Sequence, residues 1–130
     1  MLSPKPRVLL AEDEELVRTL LVRILNEAGV AVEEADNGLS GLQAAHRLDG
    51  ALSLIITDLD MPVMDGLEFA RILQRTDPRV PFLFITALDP ALITDSGIKG
   101  EVLAKPFTPE KFLELVTGMI ARVSGPGRRV

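Results

Sequence analysis

The sequence predicts an α/β fold: a single doubly wound domain whose five-stranded parallel sheet, of order 2-1-3-4-5, is flanked by helices. Two observations predict it. Solid apolar runs recur at Val8-Leu9-Leu10-Ala11, Leu54-Ile55-Ile56 and Phe82-Leu83-Phe84-Ile85, as strands buried on both faces require. Amphipathic stretches at helical spacing separate them, and strands alternating with helices imply parallel pairing through crossovers. Right-handed crossovers leave few topologies for five such strands. The order 2-1-3-4-5 makes the polar second strand an edge and sets the first and third strands side by side at a switch point, where ligands bind outside the carboxyl ends.

The first strand, Val8 to Ala11, stops at Glu12-Asp13. Residues 14–28 then put Leu16, Val17, Leu20, Leu21, Ile24, Leu25 and Ala28 on one stripe, and Gly29 is suited to a left-handed cap. Ala31-Val32-Glu33-Glu34-Ala35 mixes polar with apolar residues, as an edge strand does. A second helix over about 39–48 leads into the third strand, which ends at Thr57-Asp58. A third helix over about 67–75, capped by Asp65, leads into Phe82 to Ile85, which stops at Thr86. Pro81 is tolerable there because a first strand residue need not donate to the ladder.

Between Asp89-Pro90 and Gly97 there is room for under two turns, so the fourth helix is predicted to be short or irregular and dependent on tertiary contacts. The weaker run Val102-Leu103-Ala104 stops at Lys105-Pro106. The last helix has Thr108 as N-cap, Pro109 at its first position and Phe112, Leu113, Val116, Met119 and Ile120 as its buried stripe. The whole chain, 1–130, reads as one domain with its core at about 7–123 and a flexible tail over 124–130. A chain of that size buries roughly two thirds of its unfolded surface, enough for a core without staples.

Composition excludes several functions. There is no cysteine, which rules out disulfides, thiolate metal sites and thiol catalysis. The net charge of −5 opposes sequence-independent nucleic-acid binding, and Arg128 and Arg129 in the tail read as a solvated end. Aromatics are limited to five Phe, too few for base or flavin stacking. No apolar run approaches the ~20 residues of a membrane span, and Glu12-Asp13-Glu14-Glu15 interrupts any signal-peptide pattern. The expectation is a soluble, cytoplasmic protein with no direct nucleic-acid contact and no membrane insertion.

Three acids, Glu12, Asp13 and Asp58, a hydroxyl, Thr86, and an ammonium, Lys105, therefore share one sheet edge. Acids so placed repel one another unless a cation intervenes, and a lysine and a hydroxyl beside them suit an incoming phosphoryl group. The residues describe a phosphate-accepting switch.

Ala11-Glu12-Asp13-Glu14, Asp58-Leu59-Asp60-Met61-Pro62-Val63-Met64-Asp65-Gly66, Thr86-Ala87 and Lys105-Pro106-Phe107 stand in that order at successive strand ends. In this the chain resembles the receiver domain of two-component response regulators, from about Arg7 to Val123. The resemblance implies a flavodoxin-like fold and a phosphorelay in which Asp58 accepts a phosphoryl group from a phosphohistidine on a sensor histidine kinase or phosphotransfer protein. It implies Mg²⁺ held by the side chains of Asp13 and Asp58 and the main-chain carbonyl of Asp60, with Glu12 acting mostly through water. Lys105 and Thr86 would meet phosphoryl oxygens, and the Lys105-Pro106 bond would be cis. Two features depart from the family. Val102 stands where receivers usually carry Tyr or Phe, and the segment from Thr86 to Lys105 is short, so ordering of that segment, not a ring flip, is the expected switch.

Plainer readings exist for several residues. Glu14 and Glu15 complement the first helix dipole, His46 lies on a polar helix face, and Met61 and Met64 pack the loop. Thr86 could satisfy its own backbone, and Lys105 could be a surface lysine. Asp58-Leu59-Asp60 also looks like the Asp-x-Asp of haloacid-dehalogenase-type phosphatases, but those carry it on the first strand and add a cap. A receiver that docks without phosphorylation would lack members of the acidic, lysine and acceptor set, which are all present. A flavodoxin-like electron carrier needs a phosphate loop where Glu12 to Glu15 would repel phosphate.

Overall fold

The computed structural model describes residues 5–124. Five strands, β1 (Arg7–Ala11), β2 (Ala31–Ala35), β3 (Leu54–Asp58), β4 (Phe82–Thr86) and β5 (Glu101–Ala104), alternate with five helices. These are α1 (Glu15–Glu27), α2 (Gly38–Arg47), α3 (Gly66–Thr76), α4 (Ala91–Thr94) and α5 (Pro109–Ser124). All strand pairs are parallel, in the order β2-β1-β3-β4-β5. The doubly wound fold expected from the sequence is thus observed. The tail beyond Ser124, with Arg128 and Arg129, lies outside the described residues.

Alternation along the strands divides the core into two layers. Val8, Leu10, Leu54, Ile56, Leu83 and Ile85 face Leu21 and Leu25 of α1 and Phe112, Val116 and Met119 of α5. Leu9, Ile55, Phe82 and Phe84 face Ala44 of α2, Phe69 and Leu73 of α3 and Ile93 of α4. Because β1, β3 and β4 are covered on both sides, nearly every residue in them is apolar. β2 lies at an edge, and its polar Glu33 and Glu34 belong there.

Helix ends follow local chemistry. Gly29 has φ +84, with Val30 N–H bonded to Leu25 O and Gly29 N–H to Asn26 O, a Schellman ending for α1. Asn37, Asp65 and Thr108 each accept a backbone N–H at the start of a helix, from Ser40, Glu68 and Lys111. Gly66 is confined to glycine by space: a Cβ there would sit 2.0 Å from the Asp58 carbonyl oxygen.

One expectation fails within α1. Leu16 is 86% exposed and Leu20 52%, and Ala28 is also exposed, although all three share the apolar stripe. Leu21 and Leu25 are buried against β1 and β3, and Val17 and Ile24 pack partly against the same layer. Leu16 and Leu20, one turn apart, lie at the margin of the stripe, and Leu20 borders a cleft shared with Pro106 and Phe107 of the loop after β5. α4 is a single turn, anchored by buried Ile93.

Candidate phosphoryl-acceptor site at the sheet edge

β1 and β3 are neighbours in register, with Ala11 opposite Thr57, so the next residues of both strands emerge together. Glu12, Asp13 and Asp58 each present a carboxylate oxygen within 4.8 Å of the others. Glu12 is fully buried, Asp58 is 5% exposed and Asp13 faces solvent. From the loop after β5, Lys105 Nζ reaches Asp58 Oδ2 at 2.6 Å and Glu12 Oε1 at 3.5 Å. Its bond to Pro106 is cis, as the resemblance implies. The cleft above Asp58, about 260 Å³, is lined by Asp13, Glu14, Asp60, Ala87, Leu88 and Lys105.

Burial pushes the Glu12 carboxyl up to about 7; the Glu14 N–H, bonded to its Oε2 at 3.1 Å, and Lys105 oppose the rise, and the charge of Asp58 adds to it. For Lys105, burial works against the charge, but its hydrogen bond to Asp58 and the field of both acids hold it above the usual lysine value. The ammonium therefore stays charged and neutralises part of the acid cluster.

The donor set fits Mg²⁺. Three convergent carboxylate oxygens, one facing solvent, are hard ligands that leave room for water, as this ion requires. Asp60 follows on the β3–α3 loop, its N–H bonded to Asp58 Oδ1 at 3.1 Å, which keeps this loop against Asp58. That loop turns tightly at Val63, with φ +70 and Met64 N–H bonded to Pro62 O.

Thr86 ends β4 fully buried, with its Oγ1 accepting the Leu88 N–H at 2.8 Å. The hydroxyl thus satisfies its own loop and keeps its proton to donate. His46 is exposed on α2, away from the cluster. Met61 and Met64 pack on the α2–α3 side of the core, and Phe107 stacks on Phe112 with centroids 5.6 Å apart. Sequence reasoning does not single out Arg18, whose Nη1 donates to the Glu12 main-chain oxygen at 2.7 Å. A basic residue on the solvent side of a helical wheel carries no local sign of a carbonyl partner.

Residues 8–117 match the family model described as response regulator receiver domain. Over 106 residues the chain is 41% identical to the response regulator receiver protein CpdR of Brucella abortus (strain 2308), covering 78% of this chain and 85% of that one. It is 33% identical over 124 residues to the sensor kinase CckA of the same organism, which covers 93% of this chain but only 13% of CckA. Among solved structures, the chemotaxis protein CheY4 of Vibrio cholerae superposes with a TM-score of 0.78 at 30% identity, covering 88% of this chain and 98% of that chain.

Proposed function

The chain belongs to the response regulator receiver domain family, and from that premise we propose that Asp58 accepts a phosphoryl group from a partner's phosphohistidine. One observation carries the assignment to this residue: Lys105 Nζ lies 2.6 Å from Asp58 Oδ2, within the cluster that also holds Glu12 and Asp13.

In the transfer a carboxylate oxygen of Asp58 attacks phosphorus, the N–P bond breaks, and its electron pair stays on the imidazole nitrogen. Asp13, Asp58 and the Asp60 carbonyl would hold Mg²⁺, with Glu12 acting through water, and the bound ion would supply charge neutralisation at the phosphoryl oxygens. Lys105 moves from Asp58 to a phosphoryl oxygen and offsets charge as it passes between the two acceptors. Thr86 donates its hydroxyl proton to another oxygen while still accepting from Leu88. The chain promotes its own phosphorylation and slow dephosphorylation and turns over no other substrate.

Receiver domains of this family interact with histidine kinases or phosphotransfer proteins, and for this chain the partner is such a kinase or carrier. Leu20 stands exposed beside Pro106 and Phe107, along a cleft of about 470 Å³ that reaches Lys105, a surface suited to a partner helix presenting histidine. Residues 7–123 form the working unit, acting in the cytoplasm without direct nucleic-acid contact. No helix among the described residues is long and apolar enough to cross a membrane.

Intact-mass analysis after incubation with acetyl phosphate tests the reading. A single phosphoryl adduct is expected with Mg²⁺, with little in excess chelator and none for Asp58→Asn. Equal labelling in chelator, or full labelling of Asp58→Asn, would refute it.

A further inference from the structure

Arg18 sits in the second turn of α1, with its side chain only 18% exposed. Its guanidinium spans two elements, donating from Nη1 to the Glu12 main-chain oxygen at 2.7 Å and from Nε to Glu34 Oε1 on β2 at 3.2 Å. The Glu12 N–H donates in turn to Ala35 O at 2.9 Å. Both backbone groups of Glu12 are therefore held, one by the sheet and one by Arg18. The peptide joining Glu12 to Asp13 is planar, so anchoring its oxygen orients the unit from which the Asp13 side chain departs. Asp13 depends on this more than its neighbours do. Glu12 and Asp58 are buried and hydrogen-bonded through their carboxylates, whereas Asp13 is exposed and its carboxylate has no hydrogen-bond or ion-pair partner among the described residues.

We propose that Arg18 is a positioning residue for the divalent-cation site, fixing the Glu12–Asp13 peptide so that Asp13 is aimed at Asp58. The inference rests on reading Glu12, Asp13 and Asp58 as the Mg²⁺ site. Its sign separates it from a simpler alternative. Arg18 is a cation beside a cation site, so acting through space alone it repels the metal and its removal tightens binding. Acting by position, its removal loosens binding. Groups that orient metal ligands from behind cost about 10- to 100-fold in affinity when removed, and one backbone hydrogen bond belongs at the lower end. Arg18→Lys keeps the charge, but a compact ammonium cannot serve both partners as the planar fork does.

Calorimetric titration of Mg²⁺ into the full chain decides the matter, using the parent, Asp13→Asn, Arg18→Gln and Arg18→Lys. The parent is expected to bind and Asp13→Asn to lose binding. Arg18→Gln should bind about tenfold more weakly than the parent, and Arg18→Lys should fall between them. A parent that binds no Mg²⁺, or an Asp13→Asn variant that matches it, overturns the site reading and the proposal with it. If those two behave as expected, an Arg18→Gln variant that binds as tightly as the parent, or more tightly, overturns the proposal alone. Should Arg18→Gln not fold, Arg18→Lys decides: weaker binding supports positioning, and parent-like binding overturns it.

Discussion

Glu12 is the residue whose chemistry is most changed by its place in the fold. Its carboxyl is pushed from 4.5 to about 7, chiefly by burial, so between those values the folded chain holds a proton that the unfolded chain has released. Stability without metal should therefore fall as pH rises through that window. A protonated Glu12 gives a metal-bound water no negative partner, so Mg²⁺ affinity should be weaker at pH 6 than at pH 8, by up to about tenfold, flattening above pH 7. Titrations at several pH values check this, and Glu12→Gln should remove most of the slope. Lys105 bonds both acids, and its truncation leaves them to face each other. Lys105→Ala should keep the fold but impair phosphorylation by acetyl phosphate; labelling and a phosphorylation-induced spectral change that both match the parent would reduce Lys105 to a surface lysine.

Among the elements, the β3–α3 loop and the α4 segment are where propensity and structure disagree. Val63 is β-branched at φ +70 and 78% exposed, a conformation that costs such residues roughly 1–3 kcal/mol. Glycine there relieves the strain but adds about 0.5–1 kcal/mol of unfolded-state entropy. Val63→Gly should thus stabilise the protein by about 1 kcal/mol, readable as a higher urea midpoint at unchanged slope. The α4 segment is held mainly by local bonds, from Leu88 N–H to Thr86 Oγ1 through Ser96 N–H to Ile93 O, with Gln74 of α3 gripping Lys99 at its far end. Amides from 87 to 100 should exchange faster than those of β4, and more slowly after beryllofluoride or phosphorylation as Thr86 draws its loop toward the new charge. Strong protection beforehand, unchanged afterwards, would mean that the signal leaves by another face.

For the whole molecule, the acid cluster couples stability to metal. If Glu12, Asp13 and Asp58 hold Mg²⁺ as proposed, the site exists only in the folded chain, so the ion should raise the melting temperature modestly by mass action, and Asp13→Ala should abolish the rise. The metal-free variant should melt at or above the parent because it loses one repelling charge. Equal stabilisation of both proteins by Mg²⁺ would place the metal elsewhere.

The sequence by itself determined the strand order, the helix caps and the edge at which Asp58, Asp13, Thr86 and Lys105 gather. Those features are written locally: an apolar run records burial on both faces, its first polar residue marks the strand's end, and Asp65, Thr108 and Gly29 act within one turn of their own positions. Only the tertiary structure decided what each side chain touches. Leu16 and Leu20 lie on the predicted stripe but are exposed because the stripe is wider than the face that packs: Val17, Leu21, Ile24 and Leu25 turn to the core and leave those two at its rim. Thr86 turns its oxygen to Leu88, Lys105 reaches Glu12 as well as Asp58, and Arg18 grips a main-chain carbonyl. Periodicity reports which face of an element is buried. It carries no record of the partner on the other side, because a carbonyl at a strand end is the same group whichever residue bears it, and only the packed sheet brings a guanidinium to it.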